Sequence, residues 1–283
     1  MCSPKRLITA VVVAIVHVAT IDSAMAKGVV IGIGAAGDTA DGRAYSLFAD
    51  VGATEKTWIS GAISLNQTEN SVFDLDAKFA DISVDHFFDP VGIRLGGSYW
   101  GDDGFLESQD AHASLYLRNK KGSIAVDFER RNFDLTINSD LLAAPRSVEF
   151  SADGYGLTGR LEVNGRTSLY VTGMTYEYSQ DISIQPDSDR LRFLSFSRFS
   201  LMNSLLDYRL SGGIEFGFGQ SRLDFRYSSW KTEVIQGRVN SLGVGFLTPI
   251  GSAADIEFRL AFDESDDFGS ATVFSVFLFF YAG

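Results

Sequence analysis

Between Tyr208 and Asp263 the chain changes character at every second residue. Tyr208, Leu210, Gly212, Ile214, Phe216 and Phe218 fall on one face of an extended segment, and Arg209, Ser211, Gly213, Glu215 and Gly217 fall on the other. Leu223, Phe225 and Tyr227 then oppose Arg222, Asp224 and Arg226, while Ile256, Phe258, Leu260 and Phe262 oppose Asp255, Glu257, Arg259 and Asp263. A period of two with unlike faces is that of a β-strand. Segments near ten residues exceed the roughly five or six usual in a soluble sandwich and match the roughly 9–11 of a tilted strand crossing a bilayer.

The same pattern gives candidate strands at 28–36, 43–52, 56–66, 71–81, 90–100, 109–119, 122–133, 148–163, 166–179, 190–199, 207–218, 221–233, 237–248, 253–263 and 270–281. Single-chain bacterial barrels have even strand numbers, with short turns at one end and longer loops at the other. Leaving out 190–199 keeps short and long connections alternating and puts both termini at the short-turn end. About 14 strands result, with 12 and 16 as alternatives. The omitted piece falls in a connection near 180–206, where Arg190, Arg192 and Arg198 interleave with Phe193, Phe196 and Phe199. It reads either as a loop folded into the barrel or as strands extended above the membrane.

Composition agrees with strands: 28 Gly and 23 Phe against 5 Pro in 283 residues. The N-terminus has the layout of a secretory signal peptide, with Lys5 and Arg6, an apolar run at Leu7–Ala19, and Ala24-Met25-Ala26 before the expected cleavage site. The remaining chain, 27–283, is expected to form one domain. It lacks Cys2, the only cysteine, so it has neither disulfide nor thiolate metal site.

The last segment, ATVFSVFLFFYAG, aligns Phe274, Val276, Leu278 and Phe280. Exported chains whose long strands close on such an aromatic-rich strand look like bacterial outer-membrane β-barrels, and residues 27–283 resemble that family in its porin-like form. The resemblance implies an all-β, transmembrane, antiparallel up-and-down barrel in a Gram-negative-type outer membrane. Lipid, lipopolysaccharide and the barrel-insertion machinery would be its partners. One departure is that Ala282-Gly283 follow Tyr281, where the family commonly ends on an aromatic residue.

Gly32-Ile33-Gly34-Ala35-Ala36-Gly37 has the spacing of a dinucleotide fingerprint. That fold needs a helix after the glycines, and here Gly42 interrupts and Tyr45, Leu47, Ala49 and Val51 alternate. The match reads as coincidence, and no cofactor is expected.

Charge refines the interior. Loss of Lys5, Arg6 and Asp22 with the leader takes the formal charge from −12 to −13, which does not suit nucleic acid. Alternation puts Lys78, Arg94, Arg118, Arg131, Arg160, Arg209, Arg222, Arg226 and Arg259 on the lumen side, against Asp74, Asp76, Asp110, Asp127, Glu129, Glu162, Glu215, Asp224 and Glu257. These can form a satisfied wall, pairing across neighbouring strands. Alternatively, Arg94, Arg209, Glu215, Arg222, Asp224, Arg226, Glu257 and Arg259 can form a constriction that orients dipolar solutes. The acidic stretches at 101–104, 186–189 and 263–267 lack the spacing of a helix-loop-helix calcium site, and no metal is assigned.

A hydrolase needs a base beside its nucleophile, and the mature chain offers only His86 and His112. The expected function is therefore passive diffusion of small hydrophilic solutes or ions, without enzyme activity. A non-conducting structural or adhesive barrel stands as the alternative, and a barrel hydrolase behind it. On a heat-modifiability gel the processed protein should migrate differently boiled and unboiled. Identical migration of a carbonate-extractable protein would rule against the barrel.

Overall fold

The computed structural model describes residues 28–69, 74–102, 106–137, 146–180, 205–233, 237–266 and 269–282. Residues 1–26, expected to be a signal peptide, and the 190–199 segment lie outside them. The described residues form a closed antiparallel barrel of fourteen strands: β1 (Val29–Asp38), β2 (Gly42–Gly52), β3 (Thr57–Glu69), β4 (Asp74–Phe87), β5 (Val91–Gly101), β6 (Leu106–Asn119), β7 (Gly122–Ile137), β8 (Arg146–Asn164), β9 (Thr167–Tyr178), β10 (Leu206–Phe218), β11 (Ser221–Thr232), β12 (Arg238–Pro249), β13 (Ala254–Ser265) and β14 (Gly269–Ala282). Each strand pairs with its sequence neighbours, and β1 closes on β14 from Val29↔Ala282 to Asp38↔Val273.

Closure settles the backbone problem of a membrane span, because no edge is left for hydrocarbon to desolvate. Both ends of the described chain lie with the tight turns. There Asn119 Oδ1 accepts from the backbone N–H groups of Lys121 and Gly122, and Asn164 Oδ1 from that of Arg166. The strand ends Ile137, Arg146, Tyr178 and Leu206, between which the longer connections run, lie at the opposite end.

The alternation resolves into an apolar outside and a polar inside. Leu242, Leu157, Phe225, Phe258 and Phe274 are exposed on the outer face. On β8 this apolar face runs from Tyr155 to Val163, about the 9 residues a tilted span requires. Toward the loop end the outward positions turn polar: Asp153 follows Tyr155 on that face and receives Nη1 of Arg130 at 2.6 Å. The β7–β8 hairpin therefore extends beyond the apolar band.

This extension explains a correction to the sequence reading. Asp76 and Lys78, assigned to the lumen, share parity with the exposed Ile82 and Val84 and point outward, with Gln67 Nε2 donating to Asp76 Oδ1 at 3.1 Å. Beyond the hydrocarbon both faces of a strand meet water, so alternation there no longer marks the inside. The strand also continues to Phe87 rather than ending at 81, which brings Asp81 and Asp85 onto the lumen wall.

An arginine in place of lipid-facing Leu260 should cost roughly 2–4 kcal/mol in equilibrium unfolding from vesicles. The sequence alone puts Ser211 and Ala261 together as cheap inward sites. Ala261 is buried, however, so only Ser211→Arg is expected to be nearly neutral.

Candidate functional site: the lumen

Three tiers line the lumen from the loop end inward. The first is apolar. Leu106, Phe133, Phe150, Met174, Tyr176 and Leu206 are buried in one cluster, with Phe133 stacked on Phe150 at 4.8 Å between centroids. Trp100, Tyr178 and Trp230 pack against it. Tyr178 donates its hydroxyl to the carbonyl of Leu206 at 2.9 Å, tying the start of β10 to the cluster.

Below lies a cavity of about 500 Å³ whose polar lining includes Asp81, Asp110, His112, Asp127, Glu129 and Arg209. Asp127 accepts from Ser114 Oγ and, at 2.8 Å, from Thr158 Oγ1. Asp110 accepts from Ser108 Oγ and, at 3.3 Å, from Ser98 Oγ. His112 Nε2 lies 2.8 Å from Asp81 Oδ2. Glu129 accepts from Arg131 Nε and from the Tyr176 hydroxyl, both at 2.9 Å.

The third tier, nearer the tight turns, is a group of guanidiniums and carboxylates on β8–β13. Arg160 donates two hydrogen bonds to Glu215, one at 3.1 Å, and Arg222 Nη1 lies 3.7 Å from the same carboxylate. Arg226 donates to Asp224 at 3.1 Å and to the Tyr170 hydroxyl at 2.7 Å. Arg259 grips Glu257 with bonds of 2.8 and 2.9 Å. The Glu129–Arg131, Asp224–Arg226 and Glu257–Arg259 pairs each run along one strand, two residues apart, instead of between strands. Residues i and i+2 share a face, so a long arginine can fold back on its own strand. The four guanidiniums of this third tier are about half exposed, so each pair contributes on the order of 0.2–1 kcal/mol.

A recurrent device assembles these groups. An aromatic or imidazole side chain lies flat across a glycine on the next strand and reaches a carboxylate on the strand beyond. Tyr170 of β9 crosses Gly213 of β10, where a Cβ would sit 2.5 Å from the phenol oxygen, and donates to Asp224 of β11 at 2.8 Å. His112 of β6 crosses Gly96 of β5, where a Cβ would sit 2.3 Å from the ring, to reach Asp81 of β4. Tyr176 reaches Glu129 across Gly154 in the same way, and Tyr116 reaches Asp85 across Gly92. Volume at Gly213 is therefore taken by a ring.

The glycines of the dinucleotide-like stretch belong to the same scheme. Gly32 and Gly34 face inward on β1, covered by the rings of Phe48 from β2 and Phe277 from β14. Phe48 then meets Phe279 edge-on at 5.5 Å. Their spacing reflects the period of a strand whose inward face is roofed by aromatics.

Of the sequence candidates, Glu215, Arg222, Asp224, Arg226, Glu257 and Arg259 come together. Arg209 stands apart in the cavity, with Nη2 at 4.0 Å from Glu129 and 3.4 Å from the sulfur of Met174. Arg94 pairs with Asp85 at 2.9 Å on the opposite wall. Arg190, Arg192 and Arg198 lie outside the described residues. The acids of the third tier sit beside their arginines and do not oppose them across the lumen. Sequence reasoning did not find Asp81, Asp85 or the tyrosines, whose signal would have been an inward glycine flanked one strand away by an inward ring. His86, at the end of β4, has Nδ1 2.8 Å from Thr57 Oγ1, and Ser114 is engaged by Asp127 rather than by His112. Among the described residues no three or more His, Cys, Asp or Glu side chains converge as a metal site would require.

No protein-family model matches this chain. No curated protein matches it either. Solved structures do. The monoaromatic hydrocarbon channel CymD is 12% identical with a TM-score of 0.56, over 91% of this chain and 89% of that one. OprD of Pseudomonas aeruginosa is 10% identical with a TM-score of 0.46, over 93% and 98%. The KdgM porin, solved with oligogalacturonate, is 10% identical with a TM-score of 0.46, over 89% and 98%. At these identities the likeness is one of fold: the chain shares the overall architecture of CymD.

Gly32→Ala should cost about 1–3 kcal/mol by driving a methyl into Phe48. The cost should fall sharply in a Phe48→Ala background, giving a coupling of roughly 0.5–3 kcal/mol in a double-mutant unfolding cycle.

Proposed function

We propose that this protein is a passive diffusion channel of the bacterial outer membrane, passing small hydrophilic solutes or ions without energy coupling. The observation that carries the reading is the lumen beneath the apolar tier, where carboxylates, guanidiniums and hydroxyls satisfy one another around a cavity inside a closed barrel. A hydrated solute can exchange its water contacts for such groups and leave again, which is what weak, multi-site conduction requires. Fourteen strands lie between the eight whose interior side chains fill and the 16–18 that leave a wide aqueous channel. A narrow passage with many polar neighbours suits both the strand number and the lining. CymD, which shares the architecture, is a monoaromatic hydrocarbon channel, and this barrel is likewise read as a channel without enzyme activity.

The buried apolar cluster at the loop end favours a second reading, a non-conducting surface barrel, because it narrows the approach to the polar tiers. Planar-bilayer recording separates the two. Purified protein should insert and give discrete conductance steps. Stable insertion without steps would favour the structural or adhesive role.

A further inference from the structure

We infer that the pore passes cations in preference to anions, and that the preference is set by the fixed carboxylates Asp81 and Asp127 on the β4–β7 wall. The inference rests on the channel reading. It follows from how differently the two charged tiers are neutralised. In the third tier Arg160, Arg226 and Arg259 each grip a carboxylate of their own and Arg222 shares that of Glu215, so that wall carries paired charges with one formal positive charge over and no excess of carboxylates.

The cavity wall is neutralised otherwise. Asp127 is clamped through both oxygens by the hydroxyls of Ser114 and Thr158, which carry no charge. Asp110 is held by two serine hydroxyls, and Asp81 by His112. Neutral donors fix a carboxylate in place but leave its field in the lumen. Around the cavity, Asp81, Asp110, Asp127 and Glu129 stand against Arg131 and Arg209, a formal excess of two negative charges when His112 is neutral and of one when it is protonated. A low-dielectric wall concentrates that field on whatever occupies the cavity.

The source matters because the acidic loops offer a competing origin. Charges facing bulk water act over about 10 Å at 0.1 M salt and about 3 Å at 1 M, whereas partly buried charges are screened much less. A preference set by Asp81 and Asp127 therefore survives concentrated salt, and one set by the loops does not.

The test is the reversal potential across a bilayer under KCl gradients at pH 8, in dilute and in molar salt. The wild-type barrel should be cation-selective in both. Asp81→Asn with Asp127→Asn should lower the cation-to-anion permeability ratio about threefold or more, while loop variant Asp266→Asn should leave it unchanged. Thr172→Lys, which adds a cation at the cavity and keeps both hydroxyls that hold Asp127 while removing the bond from Thr172 to Thr158, should move the ratio the same way and covers the case in which the asparagine variants do not fold. A reversal potential at zero or on the anion side, no shift in the variants, or a preference that vanishes in molar salt would overturn this inference alone. A wild-type barrel that inserts but never conducts would overturn it together with the channel reading.

Discussion

Everything in this molecule depends on the ladder between β1 and β14. In hydrocarbon an unpaired backbone group costs several kcal/mol, so a sheet is tolerated there only when its first and last strands meet. Here they meet over the whole of β1. The side chains of that seam are arranged accordingly, with bare Gly32 and Gly34 on the inward face of β1 and the rings of Phe48 and Phe277 laid over them from either side. The stretch that most suggests a nucleotide site in the sequence is the seam of the barrel.

The same exchange of a glycine for a neighbour's ring organises the lumen. A fourteen-stranded barrel has more interior than its inward side chains can fill if each stands straight out from the wall. Tyr170, His112, Tyr176 and Tyr116 instead lie down across Gly213, Gly96, Gly154 and Gly92, and so keep close to the wall while bridging three strands. Each bridge ends on a carboxylate. The result is a rim of hydrogen-bonded acids along the lumen wall. The cost falls on the glycine strands, whose low intrinsic strand preference is offset by the ring that covers them.

The lumen is also graded along its axis. An apolar tier at the loop end gives way to an acidic cavity and then to paired guanidiniums near the tight turns. The near balance of basic and acidic residues counted along the inward faces conceals this order, because a sum over strands says nothing about height in the barrel.

Sequence by itself determined the strand character and the faces of β10, β11, β13 and β14, and put the number of strands at about 14 with 12 and 16 still open. Lipid on one side and water on the other force a strict period of two onto Ile214, Phe225, Phe258 and their neighbours. Short turns fixed by Asn119 and Asn164 were legible for the same local reason. The faces at the loop end of β4 were not, because Asp76 and Lys78 lie beyond the hydrocarbon, where both sides are wet. Only the tertiary structure decided which charges meet. Tyr170 and Asp224 are two strands apart, and His112 reaches Asp81 over a glycine that carries no chemical signal of its own. Contacts of that kind depend on register and barrel closure, which are properties of the whole sheet and are written in no single strand.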